Sequence, residues 1–222
     1  MRKTKIPYLD RSYIYDLDSN KQRELSYLIG SFLGDGCVYS NGNSYQFSIT
    51  SEDRDICERC QQICEDIFGI TGHIKDINRN GRYSYSQLVI CSRPLVSLFR
   101  EICPDRGIIP DLCFLSQENR LSFCQGIMDT DGWISKVKAS DGYLRFRVAF
   151  KNTANWVPLV KSIMNDLGVS TGNVRRIESN RNGRSCKPAF EISINSQQYC
   201  KLIGFRCCKK NNLAKECLIH YG

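Results

Sequence analysis

The sequence predicts an α+β protein built from one unit used twice, each unit running helix, strand, strand, helix, strand, strand, helix (αββαββα). Three observations predict it. A helix-like run rich in small residues ends in Asp-Gly at two places, "YLIGSFLGDG" over 27–36 and "FCQGIMDTDG" over 123–132. The pentapeptide Asn-Arg-Asn-Gly-Arg stands at 78–82 and again at 180–184. Between these marks both halves of the chain pass through an alternating stretch, an apolar helical stretch and a Thr-Gly pair, at 71–72 and 171–172. Parallel series of this kind mark a duplication. The expected organisation is a basic N-terminal extension over 1–23, a first unit over 24–115, and a second unit with a C-terminal tail over 116–222.

The opening helix of each unit carries small residues at helical spacing: Ser26, Gly30 and Gly34 in one, Ser122, Gly126 and Thr130 in the other. Glycine inside a helix costs about 1 kcal/mol relative to alanine, so its presence calls for a compensating gain. Close approach of two backbones is that gain. If the helices pack on each other across a pseudo-twofold axis, their carboxyl ends meet and Asp35 and Asp131 become neighbours. Two carboxylates crowded at an edge repel, and a divalent cation relieves the repulsion. Hard oxygen ligands of this kind suit Mg²⁺, which can be shared with a phosphate and assist hydrolysis of a phosphodiester. The competing reading is that each Asp-Gly only ends a helix and starts a turn. Two copies on matching helices, each followed by matching strands, favour the shared site.

The strands come next. "YQFSIT" alternates Tyr45, Phe47 and Ile49 with Gln46, Ser48 and Thr50, and "YLRFRVAF" alternates Leu144, Phe146 and Val148 with Arg145, Arg147 and Ala149. One face packs and the other stays polar. The second helix of the first unit carries Cys57, Cys60 and Cys64. Metal ligation is one reading of that cluster. Ile56, Cys60, Ile63, Cys64 and Ile67 form a helical stripe with no fourth ligand nearby, so a buried face is the preferred one. The pentapeptide supplies the Asn-Gly of a tight hairpin, with "YSYSQLVI" or "KPAFEISI" as the returning strand.

Composition sets the class. The 222 residues are 41% hydrophobic, enough for a substantial core. Lys and Arg total 31 against 23 Asp and Glu, a formal charge of +8, which suits a polyanionic partner. Lys75, Arg82, Arg145, Arg147, Arg175, Arg176, Arg181, Arg184 and Lys187 fall on or beside the proposed strands, placing a basic surface on one side of both units. No apolar leader or membrane-length segment is evident. Thirteen scattered cysteines fit reduced thiols inside a cell.

"LIGSFLGDG" (28–36) and "CQGIMDTDG" (124–132) resemble the nine-residue signature of the LAGLIDADG homing endonucleases in their single-chain, two-repeat form, matching at the Gly and Asp-Gly positions. The resemblance runs from about Glu24 to near the C terminus. "KLIGFRCCKKNNLAKECL" is also similar to the homing domain found inside inteins; no splicing blocks flank it, which points to a freestanding or intron-encoded enzyme.

The resemblance implies a duplicated αββαββα fold whose signature helices form the interface and whose sheets form a saddle over the DNA major groove. It implies a monomer that cuts both strands of duplex DNA, leaving short 3′ overhangs at a long, rare site; because the two repeats differ at most of their outward strand positions, that site should be only loosely palindromic. The implied cofactor is Mg²⁺, with Mn²⁺ able to substitute and Ca²⁺ binding without supporting cleavage. By motif position Asp35 and Asp131 are the metal-binding catalytic acids, and the backbone carbonyls of Gly34 and Thr130 touch metal. Ser51 and Lys151, at the ends of corresponding strands, lie near the scissile phosphates. Lys151 is the better candidate to steer the attacking water and offset phosphate charge.

Bases would be read by Tyr39, Gln46, Ser48, Lys75, Arg82, Arg145, Arg147, Arg175, Arg184 and Lys187, since Arg pairs with guanine and Gln with adenine in the major groove. Lys209, Lys210 and Lys215 read as phosphate contacts or plain surface, and His73 and His220 receive no role. The alternative function on the same scaffold is an intron RNA maturase or a DNA-binding regulator that does not cut.

Overall fold

A computed structural model describes residues 9–79, 83–178, 180–181, 184–185 and 188–222. The first unit contains helix α2 (Ser19–Asp35), strands β1 (Gly36–Asn41) and β2 (Ser44–Ser51), helix α3 (Arg54–Phe68), strands β3 (His73–Arg79) and β4 (Tyr83–Ile90), and helix α4 (Arg93–Ile102). The second repeats the order with α5 (Gln117–Thr130), β5 (Gly132–Lys138), β6 (Leu144–Asn152), α6 (Val157–Asp166), β7 (Arg175–Ile177), β10 (Ala189–Ile194) and α7 (Ser196–Leu202). Each unit forms a four-stranded antiparallel sheet, ordered β1-β2-β4-β3 in one and β5-β6-β10-β7 in the other. The predicted αββαββα order therefore occurs twice.

Two additions frame it. A short helix α1 (Arg11–Tyr15) precedes α2, and α8 (Cys208–Tyr221) follows α7. In the second unit a separate pair of two-residue strands, β8 (Asn180–Arg181) and β9 (Arg184–Ser185), holds the described residues of the pentapeptide. The first unit's helix begins ahead of Glu24 because Asp18 caps it, accepting from the Lys21 N–H at 3.0 Å. In the second unit Ser116 caps α5, accepting from Asn119 N–H at 3.0 Å.

The helices cover one face of each sheet. Phe32 of α2, Phe47 of β2 and Phe99 of α4 meet with ring centroids 4.7 to 5.4 Å apart, locking helix to sheet in the first unit. Cys57, Cys60 and Cys64 lie on the buried stripe of α3 beside Ile56, Ile63 and Ile67, and Gly69 ends that helix at φ +64°. α2 and α5 make the most extensive helix contact in the molecule, so α2 is buried from Leu25 through Gly34 rather than on one stripe alone. No helix among the described residues is long and apolar enough to cross a membrane.

Candidate functional site

The contact between α2 and α5 depends on glycine. A Cβ added to Gly30 would overlap the Phe123 carbonyl oxygen and stand 2.9 Å from the Ile127 nitrogen. One added to Gly126 would overlap the Tyr27 carbonyl oxygen and stand 3.0 Å from the Ser31 nitrogen. Backbone cannot swing aside, so these glycines set the helix separation. At the carboxyl ends Gly34 faces the second helix, and a Cβ there would lie 3.4 Å from the carboxyl carbon of Asp131. Asp35 is the next residue. The structure thus brings the two signature carboxylates together.

Their electrostatics carry the mark of that proximity. Burial and then the charge of Asp35 push the Asp131 pKa up to about 7, against the Asn152 amide, Arg106 and Lys210, which pull it down. Asp35 still meets solvent, yet protein crowding on its other sides raises its pKa too, opposed by Lys210 and Arg106. Asn152 donates from Nδ2 to Asp131 Oδ2, while its own Oδ1 accepts from Ala154 N–H at 2.8 Å, which fixes the direction of the amide. An adjacent, mutually repelling pair of hard oxygen donors fits a divalent cation that keeps waters and takes its remaining ligands from a phosphate. Among the described residues no group of three or more His, Cys, Asp or Glu is arranged to hold an ion alone.

Two cations flank the pair, one from each unit. Arg106 follows α4 and donates from Nη1 to the Gly34 carbonyl at 2.8 Å. That carbonyl, implied by the resemblance as a metal contact, therefore already accepts from a guanidinium. Arg106 sits at φ +56° after Asp105 at φ +48°, and its own carbonyl accepts from the Trp156 indole at 2.8 Å. Lys210, in the first turn of α8, donates to the carbonyls of Met128 (3.1 Å), Asp129 and Gly132 (2.7 Å), closing the end of α5. Lys210 is thus not plain surface. The sequence offered no matching signal for this pair, since Arg106 stands in the segment just after α4 whereas Lys210 lies inside α8.

Each cation opens on its own cleft. One, of about 520 Å³, is lined by Arg106, Asn152, Thr153, Asn155 and Arg176, among others. The other, of about 370 Å³, is lined by Asp35, Ser51, Glu52, Asp53, Lys209 and Lys210, among others. Each cleft pairs the cation of one unit with the strand end of the other. They differ in charge, the first being basic and amide-rich and the second holding several carboxylates.

Strand register sorts the remaining candidates. Gly36 pairs with Ile49 and Gly132 with Phe150, so counting onward makes Thr50 the counterpart of Lys151 and Ser51 the counterpart of Asn152. The expected pairing of Ser51 with Lys151 is off by one residue. Ser51 belongs to the helix-covered row, is 8% exposed and accepts from Asp53 N–H at 3.1 Å, so it does not reach the open face. Lys151 lies on the open row opposite Glu191, and the cations acting on both carboxylates are Arg106 and Lys210.

The open rows also hold Tyr39 opposite Gln46, and Lys75 opposite Gln87. In the second sheet they hold Arg145, Arg147 and, opposite Glu191, Arg175. Arg147 pairs with Glu191 at 3.2 Å and Arg145 with Asp141. Ser48 is on an open row but only 4% exposed, its hydroxyl directed to the Cys37 carbonyl, which removes it as a reader. Arg82 and Lys187 lie outside the described residues. Arg184 is placed only by its backbone, in β9.

Comparison with known proteins agrees with this architecture. The LAGLIDADG-like domain family matches residues 22–104. ATP-dependent DNA helicase Hel308 of Thermococcus kodakarensis is 22% identical over 198 residues, covering 85% of this chain but only 17% of the helicase, so the chain spans a small part of that relative. Among solved structures, I-DmoI in complex with DNA and Mn aligns with a TM-score of 0.56 at 18% identity, over 83% of this chain and 98% of that one. I-DmoI has also been solved with DNA and Ca. The N-terminal LAGLIDADG domain of DUF199/WhiA aligns with a TM-score of 0.53 at 11% identity, over 91% of this chain and 90% of that one. At these identities the likeness is one of fold.

Proposed function

We propose that this chain, a LAGLIDADG protein with the two-repeat fold, is a site-specific endonuclease that breaks both strands of duplex DNA with a divalent cation. The observation that carries the reading is the placement of Asp35 beside Asp131 at the joined ends of α2 and α5, with one cation-bearing cleft on each side. Both carboxylates would hold the ion. Bound there, it would supply Lewis-acid stabilisation of phosphate charge and a water of lowered pKa.

The chain's own side chains do the rest. Asn152 holds the Asp131 carboxylate in one orientation. Arg106 and Lys210 each stand where a scissile phosphate would enter and offset the charge that develops on it. Lys151, with Arg145, Arg147 and Arg175, faces the duplex from the second sheet, and Tyr39, Gln46 and Lys75 face it from the first. Because the two open faces differ in sequence, the target is only loosely palindromic. Mg²⁺ is the expected ion, with Mn²⁺ substituting and Ca²⁺ supporting binding alone. The cut is expected to leave short 3′ overhangs, and the protein to act as a monomer inside the cell.

The test is cleavage of a randomised duplex library by purified protein with Mg²⁺, with Ca²⁺, and with Asp131→Asn as control. Selective double-strand cutting with Mg²⁺ alone, lost in the variant, supports the endonuclease. Tight binding of one sequence without cutting points to a regulator. Absence of selective DNA binding points to an RNA partner such as an intron, the maturase reading.

A further inference from the structure

The buried polar cluster that joins the C-terminal segment to both interface helices has no part in the mechanism above. Its centre is Arg206, whose side chain is 15% exposed. Nε donates to Gln125 Oε1 at 2.7 Å, Nη1 to Glu24 Oε2 at 2.8 Å and Nη2 to Ser122 Oγ at 2.7 Å. The guanidinium also lies 4.8 Å from the centroid of the Tyr27 ring. Glu24 and Tyr27 belong to α2, and Ser122 and Gln125 to α5. One side chain therefore contacts both units at their shared interface.

The backbone at the same point is held as well. Arg206 N–H and Cys207 N–H both donate to Asp129 Oδ2, at 3.2 and 3.1 Å, and the Tyr27 hydroxyl donates to that oxygen at 2.8 Å. Cys208 N–H donates to Asp55 Oδ2 at 2.6 Å, tying the start of α8 to α3 of the first unit. Lys210 lies in the first turn of α8, just past Arg206 in the chain, and its ammonium reaches the carbonyls at the end of α5. The path from the clasp to Lys210 is too short to absorb an error in where it begins. A fork of three donors needs the planar guanidinium; lysine cannot make it.

We propose that Arg206 is a positioning residue that sets Lys210 in one cleft only, so that a single side chain at the unit interface controls cutting of one DNA strand and not the other. The claim about strands rests on the endonuclease reading; the claim about where Lys210 is held does not. Arg106, which serves the opposite cleft, reaches Gly34 from the segment after α4 and shares none of these contacts. A merely structural role for Arg206 would weaken both cuts together.

The test is strand-resolved cleavage, with Mg²⁺, of the duplex that the wild-type protein selects from a randomised library. Arg206→Met is compared with Lys210→Gln and Arg106→Gln, and Glu24→Gln serves as a milder variant that keeps the helix surface. A misplacement of about 1 Å costs on the order of 100-fold in rate, so Arg206→Met should accumulate nicked product with an unchanged Kd for the duplex. The surviving cut should be the one that survives in Lys210→Gln, and Glu24→Gln should show the same bias more weakly. Equal slowing of both strands in Arg206→Met and Glu24→Gln, or bias toward the strand that survives in Arg106→Gln, overturns the proposal.

Amine acylation read by mass spectrometry is the second measurement. Lys210 should be protected relative to the exposed Lys209 in the wild type, and become as reactive as Lys209 in Arg206→Met. Unchanged Lys210 labelling overturns the clasp whether or not the protein cuts DNA. If the wild type cuts no duplex while the labelling changes as expected, the clasp stands and the endonuclease reading fails.

Discussion

Gly126 stands against the carbonyl oxygen of Tyr27 so closely that no side chain fits between α5 and α2. The same is true of Gly30 against Phe123. Alanine at either position would raise helix propensity by about 1 kcal/mol in an isolated helix. In the packed pair the added methyl has to push two backbones apart. Overpacking of a tight core typically costs about 1 to 3 kcal/mol, and here the obstacle is backbone. Gly126→Ala is therefore expected to lower the thermal midpoint and abolish cutting together, because the same separation sets the distance between Asp35 and Asp131. A variant that melts like the wild type would show that the interface has slack the geometry denies it.

The carboxylates themselves are expected to be needed for cutting and not for binding. Asp35→Asn and Asp131→Asn each keep the shape of the site and remove one charge. Each should lose double-strand cleavage of the selected duplex while retaining its affinity, measured in Ca²⁺. A double variant that still cuts would refute the assignment of the site.

A dependence on pH follows from the crowding of those acids. The folded-state pKa of Asp131 is about 7, above the roughly 3.9 of an unfolded aspartate. A raised carboxyl pKa means that the folded state holds the proton where the unfolded chain has released it. The penalty is absent below the unfolded pKa and fully present above the folded one, so this group lowers stability as pH rises from about 4 to about 7. Asp129, pushed up to about 6 by burial, acts in the same direction. In EDTA the thermal midpoint of Asp131→Asn should gain on the wild type as pH rises across that window. Added Ca²⁺ should raise the wild-type midpoint more at pH 8 than at pH 5, since protons compete with the ion. Equal shifts at the two pH values would mean that the ion binds elsewhere.

Much of this arrangement was legible in the sequence, and the misses have physical causes. The small residues at 26, 30 and 34 and at 122, 126 and 130 exposed the helix pair because a helical period projects them onto one face. The strand ends were less legible. Whether Lys151 or Asn152 points toward Asp131 depends on pairing Gly132 with Phe150, and a slip of one residue reverses every side chain. Ser48 and Ser51 read as polar and therefore open, yet neighbouring strands and the turn into α3 bury them. Lys210 looked like one lysine in a basic tail because the carbonyls that capture it lie about 80 residues earlier in the chain.

The last prediction concerns that one-residue difference. Asn152 touches Asp131, whereas Lys151 lies on the open row opposite Glu191 and near Arg175 in register. Asn152→Ala should therefore slow cutting with little change in Kd, since it releases the carboxylate without touching the duplex face. Lys151→Ala should weaken binding and reduce the slope of log K against log salt by about 1, as expected for loss of one phosphate contact. Its cutting rate at saturating protein should change little. Measuring Kd at several salt concentrations alongside single-turnover rates separates the two residues. If Lys151→Ala instead slows the saturated rate and leaves the salt slope alone, the lysine acts in the chemistry and the strand end differs from the register described for β6 and β10.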